Sequence, residues 1–142
     1  MCSACNTGIN QARSDEFAEK MFSVLNNGAL TIMISIGHRT GLFDAMGELP
    51  PVTSTDIAKK AGLNERYVLE WLGAMVTGGI VDYDPQNGTY HLPVEHAAWL
   101  TRKATPNNFA VSTQWLSIAG SVEDKIVECF KKGGGVPYEE FK

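Results

Sequence analysis

The sequence predicts a mainly α fold: a winged helix-turn-helix with a small β-hairpin, flanked by N-terminal and C-terminal helices. Three observations carry this expectation. Two amphipathic segments, 54–61 and 64–77, are joined by the tight turn Gly62-Leu63-Asn64, the arrangement of a helix-turn-helix. Behind them, Ile80–Tyr83 and Thr89–Leu92 flank Asp84-Pro85-Gln86-Asn87-Gly88, whose Asn-Gly pair suits a hairpin turn. Elsewhere the apolar residues recur at three and four, the spacing of one helix face.

The elements follow in order. Residues 1–13 are small and polar and are expected to form a flexible tail. Ser14 is placed to cap a helix, with Asp15 and Glu16 in its first turn. Phe17, Met21, Val24 and Leu25 give that helix an apolar face, and Asn26-Asn27-Gly28 is expected to interrupt it. A second helix, about 29–39, is apolar on nearly every side through Ile32, Met33, Ile34 and Ile36. Such a helix is normally buried all round, and a second subunit or domain is a natural cover. Gly41 ends it, and Leu42–Met46 makes a short helical turn closed by Gly47 and Pro50-Pro51. Thr53 with Asp56 forms a capping box for 54–61, and Asn64 caps the next helix, whose stripe is Val68, Leu72, Met75 and Val76. After the hairpin, 94–100 is helical. A longer helix over 108–119 carries Phe109, Ser112, Trp115, Leu116 and Ala119, and a last one over 122–132 is capped by Ser121 and broken by Gly133-Gly134-Gly135.

Composition bounds the function. The chain has 142 residues, 44% of them hydrophobic, and a net charge of −4, which fits one globular domain. No apolar run approaches the roughly 20 residues that span a bilayer, and no secretory leader is visible, so the expected compartment is the cytoplasm. Cys2 and Cys5 have the spacing of a metal or redox pair, but a structural zinc needs four ligands and no second pair exists. They are assigned to the tail, and Cys129 to the last helix as a small apolar residue. His38, His91 and His96 lack ligand spacing. His38 sits at a helix end, where a cation suits the dipole, and His91 and His96 are expected at the surface. The triple glycine is not a phosphate loop, because neither its spacing nor its flanks match one. No catalytic residue is assigned.

The helix-turn-helix raises the question of DNA. Residues 52–100 hold three cations, Lys59, Lys60 and Arg66, against six anions, Asp56, Glu65, Glu70, Asp82, Asp84 and Glu95. The hairpin tip has no cation at all. Phosphate contacts supply most non-specific affinity and need several cations. No nucleic acid is therefore expected as partner, and a DNA-binding transcriptional regulator stands as the alternative reading.

Three segments carry a resemblance: Gly37-His38-Arg39-Thr40-Gly41-Leu42-Phe43-Asp44, then 64–75 with Gly79-Ile80-Val81, and 90–97 with Trp99. Together they resemble the N-terminal winged-helix domain of class I S-adenosylmethionine-dependent methyltransferases, the small-molecule O-methyltransferases among them. The resemblance covers about residues 14–142. It implies that 14–51 are dimerisation helices, 52–100 the winged helix, 101–132 C-terminal helices and 133–142 a lead-in to a Rossmann-like catalytic domain. That domain and its glycine-rich loop are missing from this sequence, so the chain is expected to be inactive alone and without a cofactor of its own, as a fragment or as a naturally short product. In the complete enzyme the resemblance implies S-adenosylmethionine as cofactor, with Tyr138 near it. It also implies a small-molecule substrate with Phe22, Trp115 and His38 near it, a homodimer, and the downstream catalytic domain as partner.

Overall fold

The computed structural model describes residues 8–141. Cys2 and Cys5 lie outside the described residues. Seven α-helices and one antiparallel hairpin are described: α1 (Gln11–Thr40), α2 (Leu42–Gly47), α3 (Ser54–Ala61), α4 (Glu65–Thr77), β1 (Asp82–Asp84), β2 (Thr89–His91), α5 (Val94–Leu100), α6 (Gln114–Gly120) and α7 (Glu123–Lys132). The chain is a winged helix, as the sequence predicts.

The first helix departs from expectation. It runs unbroken for 30 residues, starts inside the segment expected as tail, and passes straight through Asn26-Asn27-Gly28. Asn10, not Ser14, is its cap: the Asn10 side chain accepts a hydrogen bond from the Arg13 amide at 3.2 Å. The helix absorbs the expected break by local bonding. Asn27 Nδ2 donates to Ser23 Oγ at 3.4 Å, and Thr31 Oγ1 donates to the Asn27 carbonyl at 2.7 Å. Gly28 stays helical, at a cost of about 1 kcal/mol relative to alanine. At the far end Gly41 takes the left-handed conformation, φ 76°, and closes the helix.

The core lies between α1, α2, α3 and α4. Val68, Trp71, Leu72 and Met75 form the buried face of α4, and Leu42, Phe43, Met46, Ile57 and Ala58 meet it. Trp71 joins this core to α1: its ring packs edge-on against Phe43, centroids 5.2 Å apart, and its Nε1 donates to the Met33 carbonyl at 2.8 Å. Gly37 permits this approach, since a Cβ there would stand 2.5 Å from Trp71 Cζ2. Thr53 caps α3 and Asn64 caps α4 as the sequence implies.

The hairpin pairs Asp82 with His91, Tyr83 with Tyr90 and Asp84 with Thr89. Its first strand starts two residues later than predicted. The amides of Ile80 and Val81 both donate to the Met75 carbonyl, at 2.8 and 3.3 Å, so they close α4 instead of joining the ladder. Val52 bridges to Tyr90 through two backbone bonds, which ties the hairpin to the segment before α3.

Two C-terminal expectations are also corrected. The segment expected as one helix over 108–119 begins as a 3-10 turn, Phe109–Thr113, before α6. The tighter turn lays Ala110, fully buried, against α1 in the core. Ser121 does not cap the last helix; its hydroxyl donates back to the Ile118 carbonyl at 2.7 Å and closes α6.

Candidate functional site

Where α1 ends, three elements are fastened together. Arg102, in the 3-10 turn after α5, donates through Nη2 to the His38 carbonyl at 2.6 Å and pairs through Nη1 with Asp44 of α2. Its backbone amide also donates to Asp44 Oδ1, at 2.7 Å. His38 is buried, 9% exposed, and its Nδ1 has no hydrogen-bond partner among the described residues. Burial pushes the imidazole pKa below its usual value and the nearby Arg102 charge lowers it further, while Asp44 opposes both. A neutral His38 is the physical consequence. This differs from the cation expected at the helix end, because Arg102 already satisfies the carbonyl dipole there.

Beside this lock lies a cavity of about 410 Å³ between α2, α5 and the turn that follows, with Asp44, Glu48, Ala97, Thr101 and Lys103 on its walls. Glu48 faces Lys103 at 2.7 Å and Lys60 at 3.1 Å. Hydrogen bonds from Lys103 first and then Lys60 pull its carboxyl down to about 2. Its charges are thus spent on each other, which leaves the cavity little with which to select a charged ligand.

The side chains expected near substrate and cofactor do not converge. None of Phe22, His38, Trp115 and Tyr138 lines that cavity. Phe22 and His38 share α1 but stand sixteen residues apart, about 24 Å along the axis. Phe22 is 67% exposed and Trp115, on α6, 62%. Tyr138 is 85% exposed, with Phe141 as its ring neighbour at 6.3 Å. The described residues do not build a site for S-adenosylmethionine. Their only strands form the hairpin, whereas such a cofactor needs a strand, a glycine-rich loop and a helix.

His91 and His96, expected at the surface, are half-buried. His96 Nδ1 lies 2.8 Å from the Ile80 carbonyl. The helix-turn-helix face is polar and mixed in sign. Lys60 is engaged by Glu48, and Glu65 accepts from Thr55. Asp84 is held charged in the hairpin tip, chiefly by the Asn87 side chain.

What the sequence underweighted is surface. Residues 11–27 of α1 are all exposed, Phe17, Met21, Phe22, Val24 and Leu25 included. The face expected as an apolar stripe over 108–119 also points outward at Trp115 and Leu116, which are exposed; on α7, which buries none of its residues, Phe130 is 90% exposed. No residue from Met21 to His38 is an acid, a lysine or an arginine, which marks a surface to be covered without saying by which chain. Among the described residues, no helix is long and apolar enough to cross a membrane, and no cluster of His, Cys, Asp or Glu could hold a metal.

The fold is shared with solved enzymes. The structure of the mitomycin 7-O-methyltransferase MmcR matches with a TM-score of 0.69 at 17% identity, over 89% of this chain and 37% of that one. Human N-acetylserotonin methyltransferase in complex with SAM matches at 0.64 and 17%, over 94% and 40%. PigF with SAH matches at 0.58 and 18%, over 81% and 33%. This chain thus spans two fifths or less of the length of these structures. It matches no curated protein sequence. Residues 28–102, just over half of the chain, match the family model of the Rv2258c-like winged HTH domain, and the chain belongs to that family.

Proposed function

We propose that this chain is the dimerisation and substrate-capping module of an S-adenosylmethionine-dependent methyltransferase, working as a homodimer beside a Rossmann-like catalytic domain in the cytoplasm. One observation carries this reading: an apolar helical surface on α1, α6 and α7 that the chain leaves uncovered. Monomeric soluble proteins rarely expose contiguous apolar patches of more than a few hundred Å², and among the described residues every position from 11 to 27 of α1 is exposed. An isolated helix of that length is marginal in water, so a partner that covers it also stabilises it. The shared fold with O-methyltransferases supports the nature of the parent enzyme. Phe22 and Trp115, aromatic and open, are suited to roof an apolar substrate held by another domain, and Tyr138 to meet the cofactor of that domain. His38, buried and neutral, then serves by fixing the end of α1 under the substrate roof.

The charge pattern supports a protein partner over nucleic acid, since α4 spends Val68, Trp71, Leu72 and Met75 on the core and the wing carries no cation. Titration of the chain with mixed-sequence duplex DNA at low salt is expected to show no binding in the micromolar range, and calorimetry with S-adenosylmethionine no heat of binding. Tight DNA binding that falls steeply with salt would replace this reading with a regulator. Micromolar cofactor binding would make the chain an enzyme in itself.

A further inference from the structure

The exposed apolar residues of α1 fall in a pattern that specifies how two copies meet, given the homodimer proposed for this chain. Phe17, Met21, Leu25, Gly28, Ile32 and Ile36 lie along one side of the helix, with spacings of four, four, three, four and four residues. The pattern reads the same in both directions. Leu30, Met33, Ile34 and Gly37 face the other way, into the chain's own core. The stripe is flanked by no acid, lysine or arginine from Met21 to His38.

Gly28 is the anomaly in this stripe. Its neighbour in kind, Gly37, is demanded by Trp71. At Gly28 a Cβ would meet nothing within 4 Å, its φ is not positive, and glycine weakens a helix interior. Among the described residues nothing explains its presence. Gly73 of α4 is equally open, but it stands on a face with Arg66 and Glu70, whereas Gly28 sits at the middle of the apolar stripe.

We propose that two copies of α1 cross antiparallel about a two-fold axis between residues 25 and 28, with Leu25 of each copy seated over Gly28 of the other. An isologous contact requires that residue i meet j and j meet i. Reversal of the stripe about its midpoint superposes Phe17 on Ile36, Met21 on Ile32 and Leu25 on Gly28, so that the largest gap meets a branched side chain. Residues 11–27, exposed among the described residues, then lie over Ile32 and Ile36 where the partner's helix enters its domain. The opposed helix dipoles favour the antiparallel sense. The stripe residues expose on the order of 500 Å² per protomer, more than half of the roughly 800 Å² per partner found in stable interfaces.

The test is a cysteine scan in a chain with Cys2, Cys5 and Cys129 changed to serine. Disulfides need Cα atoms within about 7 Å. Gly28→Cys lies near the axis and is expected to oxidise to a covalent dimer. Phe17→Cys is expected to stay uncrosslinked, because antiparallel copies hold those sites about 28 Å apart. Gly28→Trp is expected to weaken self-association at least tenfold by sedimentation equilibrium, with the helical circular dichroism of the monomer unchanged. Crosslinking at Phe17→Cys would make the pair parallel and overturn the proposal. A dimer indifferent to Gly28→Trp, with no crosslink at 28, would also overturn it and move the interface to α6 and α7 while the dimer reading survives. A chain monomeric at all concentrations would remove both.

Discussion

Residues 41–101 and residues 11–27 treat their apolar side chains in opposite ways. In the first, two caps, a glycine-closed helix end and the bridge from Val52 to the hairpin accompany the complete burial of Phe43, Ile57, Leu72 and Met75. In the second, a helix of comparable apolar content buries none of them. The helix-turn-helix is therefore a finished unit. The N-terminal half of α1 is an exposed continuation of a helix whose C-terminal half is fastened to that unit by Trp71 and Arg102. The difference teaches that apolar residues in this chain divide into those that make the fold and those available to a partner, and substitution should separate the two classes.

The largest effect is expected at the anchor. Trp71→Ala removes a 2% exposed ring and the bond to the Met33 carbonyl. It should cost about 3–5 kcal/mol in chemical denaturation, with loss of α1 docking. Phe17→Ala, an aromatic ring on the open stripe of α1, should change monomer stability by less than about 0.5 kcal/mol and instead weaken self-association. Equal losses from the two would erase the distinction.

Gly37→Ala comes next. A methyl 2.5 Å from Trp71 Cζ2 and 2.8 Å from Phe43 Cε2 forces the helix and the ring apart, at about 1–3 kcal/mol. Gly28→Ala should do the reverse to the monomer and stabilise it by about 1 kcal/mol. Thermal melts of the two variants in dilute solution should move in opposite directions.

Arg102→Ala should cost about 1 kcal/mol, reduced from a buried value because half the side chain is exposed. Its signature is selective: hydrogen exchange should speed up in the last turn of α1, where the His38 carbonyl loses its donor, and not in α3.

The smallest effect is a pH dependence. The folded pKa of His38 lies below its unfolded value, so the unfolded chain binds the proton more readily. The stability this neutral group gives is intact above about pH 6.5. It declines as pH falls below that value and is gone below the depressed folded pKa. His38→Gln should flatten this slope below about pH 6.5. The Glu48 carboxyl, with a pKa near 2, adds its own loss only in stronger acid, below its unfolded value of about 4.3.

The winged helix was legible in the sequence because its signals are local. Thr53, Asn64 and Gly62 announce helix ends by short-range bonding, and the heptad-like spacing of Val68, Leu72 and Met75 announces a face. The unbroken α1 was not legible, because Asn26-Asn27-Gly28 carries the chemistry of a turn and only the bonds of Asn27 to Ser23 and Thr31 show that the helix continues. The exposure of Phe22 and Trp115 was equally hidden, since helical spacing marks an apolar face without saying whether the same chain covers it. His38, Asp44 and Arg102 meet across 58 and 64 residues of chain, a contact that no spacing rule foretells.

The most direct test is the mass of the chain in solution. Multi-angle light scattering from about 1 to 100 micromolar should show twice the 15.5 kDa of one chain at the upper end, with dissociation on dilution. A mass of 15.5 kDa throughout would mean that the open surface of α1 is not met by a second copy, and would contradict the account.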